Sequence, residues 1–357
     1  MNPLTGSSSA SGPEPAHAAS VGFVMPYYDD GSPRRRAALR NTIDSLRAQT
    51  DPGWHLYLTD DASPAPGTAA MLADLASTAP GRITVLRAPA NRGAGEARNL
   101  AIAAAHADGV PLLAYLDADD LAHPERVARV RAAFEADPEL DFGYLDIAFI
   151  DEDGQAWQEH ELLPTLQGIS RQQNLPPLRG REHWKAQAVE RDCLAIPSAM
   201  NLRTALAVAH PFPRTPFCED VATLFRYLGS GAKIDRIDGA TTSYRVPRRG
   251  GSASREQSGD LGEFNRLRCV NERAGLEAAL QEAVARGAAD AEEARSVLCR
   301  YLIRIGRTVT ADGCPELGRS QLAEARAVDG RTFLEHSTPE ERASLGVAAS
   351  LSAEEGA

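Results

Sequence analysis

The segment LLAYLDADDLAHPER, residues 112–126, ends an apolar run in three carboxylates, Asp117, Asp119 and Asp120. Charge of one sign at the end of a buried strand needs a counterion, so the segment asks for a cation. Alternate residues of a strand point to the same side, so Asp117 and Asp119 can approach one ion together if the extended conformation persists. Hard oxygen ligands suit magnesium or manganese, and two carboxylates leave coordination positions open for phosphate oxygens. The plainer reading is an acidic flank that complements the dipole of the following helix. Placement at the end of a buried strand favours the metal.

Other residues supply what a nucleoside diphosphate needs. Asp60 or Asp61, beyond an earlier strand, can accept a hydrogen bond from a base N–H, and Tyr28 can stack on that base. Arg98, on the helix after NRGAGEA, can face phosphates. Simple packing is the alternative for Tyr28, and a surface salt bridge is the alternative for Arg98. GAGEA is no dinucleotide fingerprint, because it follows PANR instead of joining the first strand to its helix. In FCEDVATLFRY, Glu219 and Asp220 open a helix about one hundred residues beyond the aspartate cluster. Such a pair ordinarily does no more than complement the helix dipole.

The elements that must position these groups are legible from periodicity. VGFVMPYY is a short apolar run of the kind that forms a buried parallel strand. Leu39, Ile43 and Leu46 then recur at helical spacing. WHLYLTDDASP, RITVLRAP and VPLLAYLDADD read as further strands, separated by helices over 67–78 and GAGEARNLAIAAAHA. Another helix begins around Pro124. This alternation predicts an α/β fold with a mostly parallel sheet, whose ligands bind outside the carboxyl ends of the strands. Asp29 and Asp30, Asp60 and Asp61, and Asp117 to Asp120 all fall at those ends.

Farther on, DFGYLDIAFIDEDG predicts a strand and turn, and residues 155–216 read as irregular. A helix over CEDVATLFRYLGSGA should stop at Gly229 and Gly231, and KIDRIDGATTSYRV should close as a hairpin or strand pair. From about residue 257 the texture is helical, with Ala294, Leu298, Tyr301 and Ile305 on one face, and Leu322, Ala325 and Val328 on another. These helices can dock on the domain, dimerise or meet a partner.

At 357 residues the chain holds one large domain with an appendage, or two medium domains. Its net charge of -11 argues against a nucleic-acid partner, which would need clustered Lys and Arg. RRRAALR at 34–40 and RVPRRGG at 245–251 are solvated faces or small-anion sites. Five scattered cysteines read as reduced thiols and not as a zinc site or a disulfide framework. No apolar run reaches the roughly 18 residues of a membrane helix. The first 19 residues lack a signal-peptide pattern and are expected to be a disordered leader, which together predicts a cytoplasmic protein.

Taken in order, VGFVMPYYDD, SLRAQTDPGWHLYLTDDASP, NRGAGEARNLAI, YLDADDLAHPERV and CEDVATLFRY resemble glycosyltransferase family 2 from Val21 to about Ser254. The resemblance implies a GT-A fold, a Rossmann-like sheet flanked by helices. Residues 20–256 would be catalytic, with a donor half at about 20–124 and an acceptor half at about 125–256, and 257–357 would be a helical C-terminal region. It implies a nucleotide-sugar donor with UDP the preferred nucleotide, a glycan or small-molecule acceptor, a divalent cation (manganese or magnesium) and inversion at the anomeric carbon. Pro26 and Tyr28 would border base and ribose, and Asp61 would bond the base with Asp60 beside it. Arg98 matches the arginine of the family's ARN segment. Asp119 would ligate the metal directly, with Asp117 nearer the ribose or a water of the ion. Asp220 would be the general base, with Glu219 its neighbour. Where relatives carry a histidine in a YRxHxxSxS-like segment, this chain has YRVPRRGGSAS with Pro247, so either Arg248 or Arg249 would bind the diphosphate or the segment would be only a mobile basic loop. A nucleotidyltransferase is the weaker enzymatic alternative, because MPYYDDGSP offers no glycine-rich basic loop. A nucleotide-sugar-binding scaffold without turnover is the non-enzymatic one.

Overall fold

The computed structural model describes residues 20–191, 194–215, 217–248 and 260–347; the expected leader and Arg249 lie outside them. The first apolar run forms β1 (Val21–Tyr27), in which every residue but Pro26 is buried. It is followed by α1 (Pro33–Arg47), which opens on proline and buries Leu39, Ile43 and Leu46 against the sheet. Next come β2 (Trp54–Asp60), α2 (Thr68–Ser77), β3 (Ile83–Arg87), α3 (Ala94–Ala107) and β4 (Leu112–Tyr115), the alternation that periodicity predicts. The two-residue β5 (Leu121–Ala122) and α4 (Arg126–Ala136) lead to β6 (Phe142–Ile150).

Residues 155–216 are more regular than their composition suggests. They contain α5 (Pro164–Gln173), α6 (Trp184–Val189), β7 (Met200–Arg203) and α7 (Thr204–Ala209). β7 is central to the sheet, between β4 and β6. Four residues that include Asn201 and Arg203 carry no strand periodicity of their own. What allows Asn201 to be buried is Arg126 of α4, which donates to its side-chain oxygen at 3.0 and 3.1 Å.

After α8 (Glu219–Gly229) the chain forms β8 (Ile234–Arg245), one twelve-residue strand and not the expected hairpin. Gly239 takes φ +83°, so the surplus residues bulge out of the pairing with β6 instead of reversing the chain. The sheet order is β3-β2-β1-β4-β7-β6-β8-β5, mixed and mostly parallel. β7 runs antiparallel to both of its neighbours. The chain moves outward from β1 to β3 and then returns to β4 on the other side of β1, which leaves a crevice at the carboxyl ends of β1 and β4.

The C-terminal region is helical: α9 (Leu261–Ala285), α10 (Ala291–Ala311), α11 (Pro315–Val328), α12 (Gly330–His336) and α13 (Pro339–Ser344). Asp260 and Asp290 cap α9 and α10 by accepting from the backbone N–H groups of Glu263 and Glu293. α9 crosses α8 at backbone range, where a Cβ on Gly275 would lie 2.5 Å from the Cα of Ala222. Gly275→Val is therefore expected to cost about 1–3 kcal/mol by overpacking. Its melting temperature measures this, and a value equal to wild type would rule out so close a crossing. No helix among the described residues is long and apolar enough to cross a membrane.

Candidate active site

β4 stops at Tyr115, so the extended conformation does not run on through the aspartates. The chain turns instead, and the N–H of Asp120 donates to the carbonyl of Asp117 at 3.1 Å. The turn, not strand alternation, leaves Asp117 and Asp119 facing the crevice and sends Asp120 inward. Asp120 does not serve the helix behind it. Its carboxylate accepts from the N–H of Arg245 at 2.8 Å and from the hydroxyl of Ser198. That hydroxyl in turn accepts from the N–H of Asp117 at 2.9 Å, and Arg245 Nε donates to the carbonyl of Asp119 at 2.7 Å. Burial, with Asp119 and Asp117 nearby, holds Asp120 well above the usual carboxylate range.

Arg126 completes the support. Its guanidinium is fully buried and donates to the carbonyls of Tyr115, Ser198 and Met200. Burial pushes its pKa down to about 9, with Asp120 opposing the fall, so it remains charged at neutral pH. The ends of β4, β7 and β8 are thereby tied around one loop.

A cleft of about 830 Å³ opens over this loop, and Pro26, Tyr28, Asp61, Arg98, Asp117, Asp119, Glu219 and Asp220 all line it. Asp60 does not; it accepts from the N–H of Ser63 at 2.9 Å and pairs with Arg87 at 3.3 Å. Asp61 accepts from the N–H groups of Arg92 and Gly93 at 3.0 and 2.9 Å, which holds the entry to α3. Arg98 is buried and donates to Asp117 at 2.5 Å and to Glu219 at 2.8 Å. Burial disfavours its charge, but the two carboxylates more than offset this and hold its pKa above the usual value. It is thus neither a surface salt bridge nor free to turn to phosphates.

Cys218, with φ +58°, delivers Glu219 and Asp220 to the cleft in the first turn of α8. Glu219 is held by Arg98, whereas the carboxylate of Asp220 accepts only from the N–H of Val221 among the described residues. Burial, followed by the charge of Glu219, pushes Asp220 up to about 7. Burial and Asp117 push Asp119 up to about 6. Protein surrounds both groups, yet both are open to the cleft, so water within it tempers these rises.

Arg248 is not in the cleft wall. Its guanidinium binds Asp151 at 2.8 Å and Glu161 at 3.1 Å and lies over the Trp157 ring. Residues unsuspected from sequence do line the cleft: Phe264, Arg268 and Glu272 of α9, with Phe217 packed edge-on to Phe264. Their four-residue spacing marks one helix face, a signal that was present but has no chemistry until α9 is placed against α8.

Residues 23–194 match the family model described as glycosyl transferase family 2, a span that includes Asp61, Arg98, Asp117 and Asp119 and ends before Asp220. No curated protein matches the chain significantly. Among solved structures, S. aureus TarS 1-349 in complex with UDP-GlcNAc aligns with a TM-score of 0.52 at 17% identity, covering 93% of each chain. The same protein in complex with UDP gives a TM-score of 0.51 at 17% identity, covering 88% of this chain and 89% of that one. At that identity the likeness is one of fold. Residues 23–194 thus match glycosyl transferase family 2, and the sheet and helices that carry them have the GT-A architecture.

Proposed function

We propose that the protein moves a sugar from a nucleoside-diphosphate donor, UDP-linked in the first instance, to an acceptor hydroxyl with inversion, and that Asp220 is the general base. The observation that carries this reading is the state of Asp220. It is open to the cleft, bound by one backbone N–H and pushed up to about 7. A base works best with a pKa near the working pH. Glu219 is unsuited to the role because Arg98 already holds its carboxylate.

The residues also fit a divalent cation. The carboxylate of Asp119 faces the cleft without a side-chain partner among the described residues, and no third His, Cys, Asp or Glu there completes a cage. That donor set suits magnesium or manganese, which keep waters and take phosphate oxygens. When bound, the ion supplies neutralising charge to the departing diphosphate. Asp61 accepts from the base, Tyr28 stacks on it and Pro26 borders the ribose. Asp220 takes the proton of the acceptor hydroxyl as that oxygen attacks from the face opposite the leaving group, and a single displacement inverts the centre.

A thermal-shift panel of nucleotide sugars with and without manganese tests the donor, because a ligand stabilises by mass action. A UDP-sugar should raise the melting temperature only with the metal, and NMR of the product should show the inverted anomer. A retained anomer would exclude the single displacement, and no shift with any donor would exclude the donor class.

A further inference from the structure

We propose that Arg35, in the first turn of α1, is the guanidinium that binds the diphosphate of the donor; this rests on the donor reading given above. Among the described residues, six arginines line the cleft: Arg34, Arg35, Arg98, Arg171, Arg245 and Arg268. Arg98 is shared between Asp117 and Glu219. Arg245 is spent on the carbonyls of Asp119, Asp151 and Glu152, and Arg268 on the buried Glu272 at 2.7 Å. Arg34 reaches Glu152, which also accepts from the backbone N–H of Arg248.

Arg35 is held more loosely than Arg98, Arg245 or Arg268 and is wetter than Arg34, and Arg171 of α5 is the rival that the variants below separate from it. The Nε of Arg35 lies 3.4 Å from Asp30, with the two side chains 50% and 45% exposed, and its terminal nitrogen is 3.5 Å from the carbonyl of Tyr28. Contacts that long and that wet contribute little, so the guanidinium can exchange Asp30 for a phosphate at small cost. The need for such a group follows from charge. A divalent cation set against Asp117 and Asp119 leaves the diphosphate unmatched, and a planar fork of donors suits phosphate oxygens. Arg35 stands beside Tyr28 in the cleft wall, next to the position proposed for the base. Arg248, the alternative suggested by sequence, is bound outside the cleft by Asp151 and Glu161.

Calorimetry of UDP with manganese tests this on the full chain, with ligand-observed NMR of uridine as the phosphate-free control. Arg35→Ala should weaken UDP about 10-fold or more, the size of a lost hydrogen bond to a charged group, and leave uridine unchanged. Arg35→Lys should recover part of the loss, while Arg171→Ala and Arg248→Ala stay near wild type. Arg35 is exposed, so the variants should melt with wild type. Unchanged UDP affinity in Arg35→Ala overturns the proposal. So does an equal loss of uridine, or an equal loss in Arg171→Ala, which would mark a general charge effect of the cleft. If the wild-type chain binds neither UDP nor GDP, the donor reading itself fails.

Discussion

Asp220→Asn is expected to keep nucleotide-sugar binding and to lose at least about two orders of magnitude in transfer, the scale of a missing general base. The amide preserves shape and can still accept from the N–H of Val221, but it has no basic lone pair for the acceptor's proton. Because burial and Glu219 hold Asp220 up to about 7, wild-type kcat/KM should climb with pH and level off above that value. In the variant this limb should vanish from whatever transfer remains. Near-native transfer by Asp220→Asn would remove the residue from the mechanism.

Stability changes in the opposite sense, which keeps the result interpretable. With a folded-state pKa above the unfolded value of 3.8, the native chain binds more protons than the unfolded chain between about pH 4 and pH 7. The buried charge therefore lowers stability progressively across that window and does so fully above it. Asn relieves the cost, so the variant should melt no lower than wild type at pH 8. A lost rate cannot then be laid to unfolding.

Asp119→Asn should abolish the manganese-dependent part of donor binding. The other carboxylate of the loop that faces the cleft is Asp117, which already pairs with Arg98 at 2.5 Å. A neutral amide oxygen is a poor substitute for a carboxylate at a hard cation. Disturbing a partner of a metal ligand commonly costs 10- to 100-fold in metal affinity, so losing the ligand itself should cost about 100-fold or more. The rise in melting temperature with UDP-sugar and manganese should fall to the value seen with a chelator. A variant that keeps the full metal-dependent rise would take Asp119 out of the site. The fold should survive, because the carboxylate of Asp119 has no side-chain partner among the described residues, whereas Asp120 ties β8 to the loop.

Local periodicity carried much of the architecture. The run at 21–27 and the spacing of Leu39, Ile43 and Leu46 each report a buried face, and such faces assemble in few ways. Where periodicity is weak the reading failed. β7 is only four residues long, and its burial depends on Arg126, 75 positions away from Asn201. The supposed hairpin at 234–245 depended on whether Gly239 turns or bulges, and pairing with β6 decides that.

Among the chemical residues, the chain by itself determined which carboxylates gather at the strand ends. That information is local, an apolar run followed by acid. The fold alone decided how they divide. Asp61, Asp117, Asp119 and Asp220 face the cleft, while Asp60 and Asp120 are drawn into the structure. It also decided that Arg98 joins Asp117 to Glu219, a residue 121 positions later, and that α9 walls the cleft. A charged side chain leaves water only where an opposite charge and hydrogen-bond partners offset the cost. Both are fixed by packing between distant segments, and neither is written in the neighbouring residues.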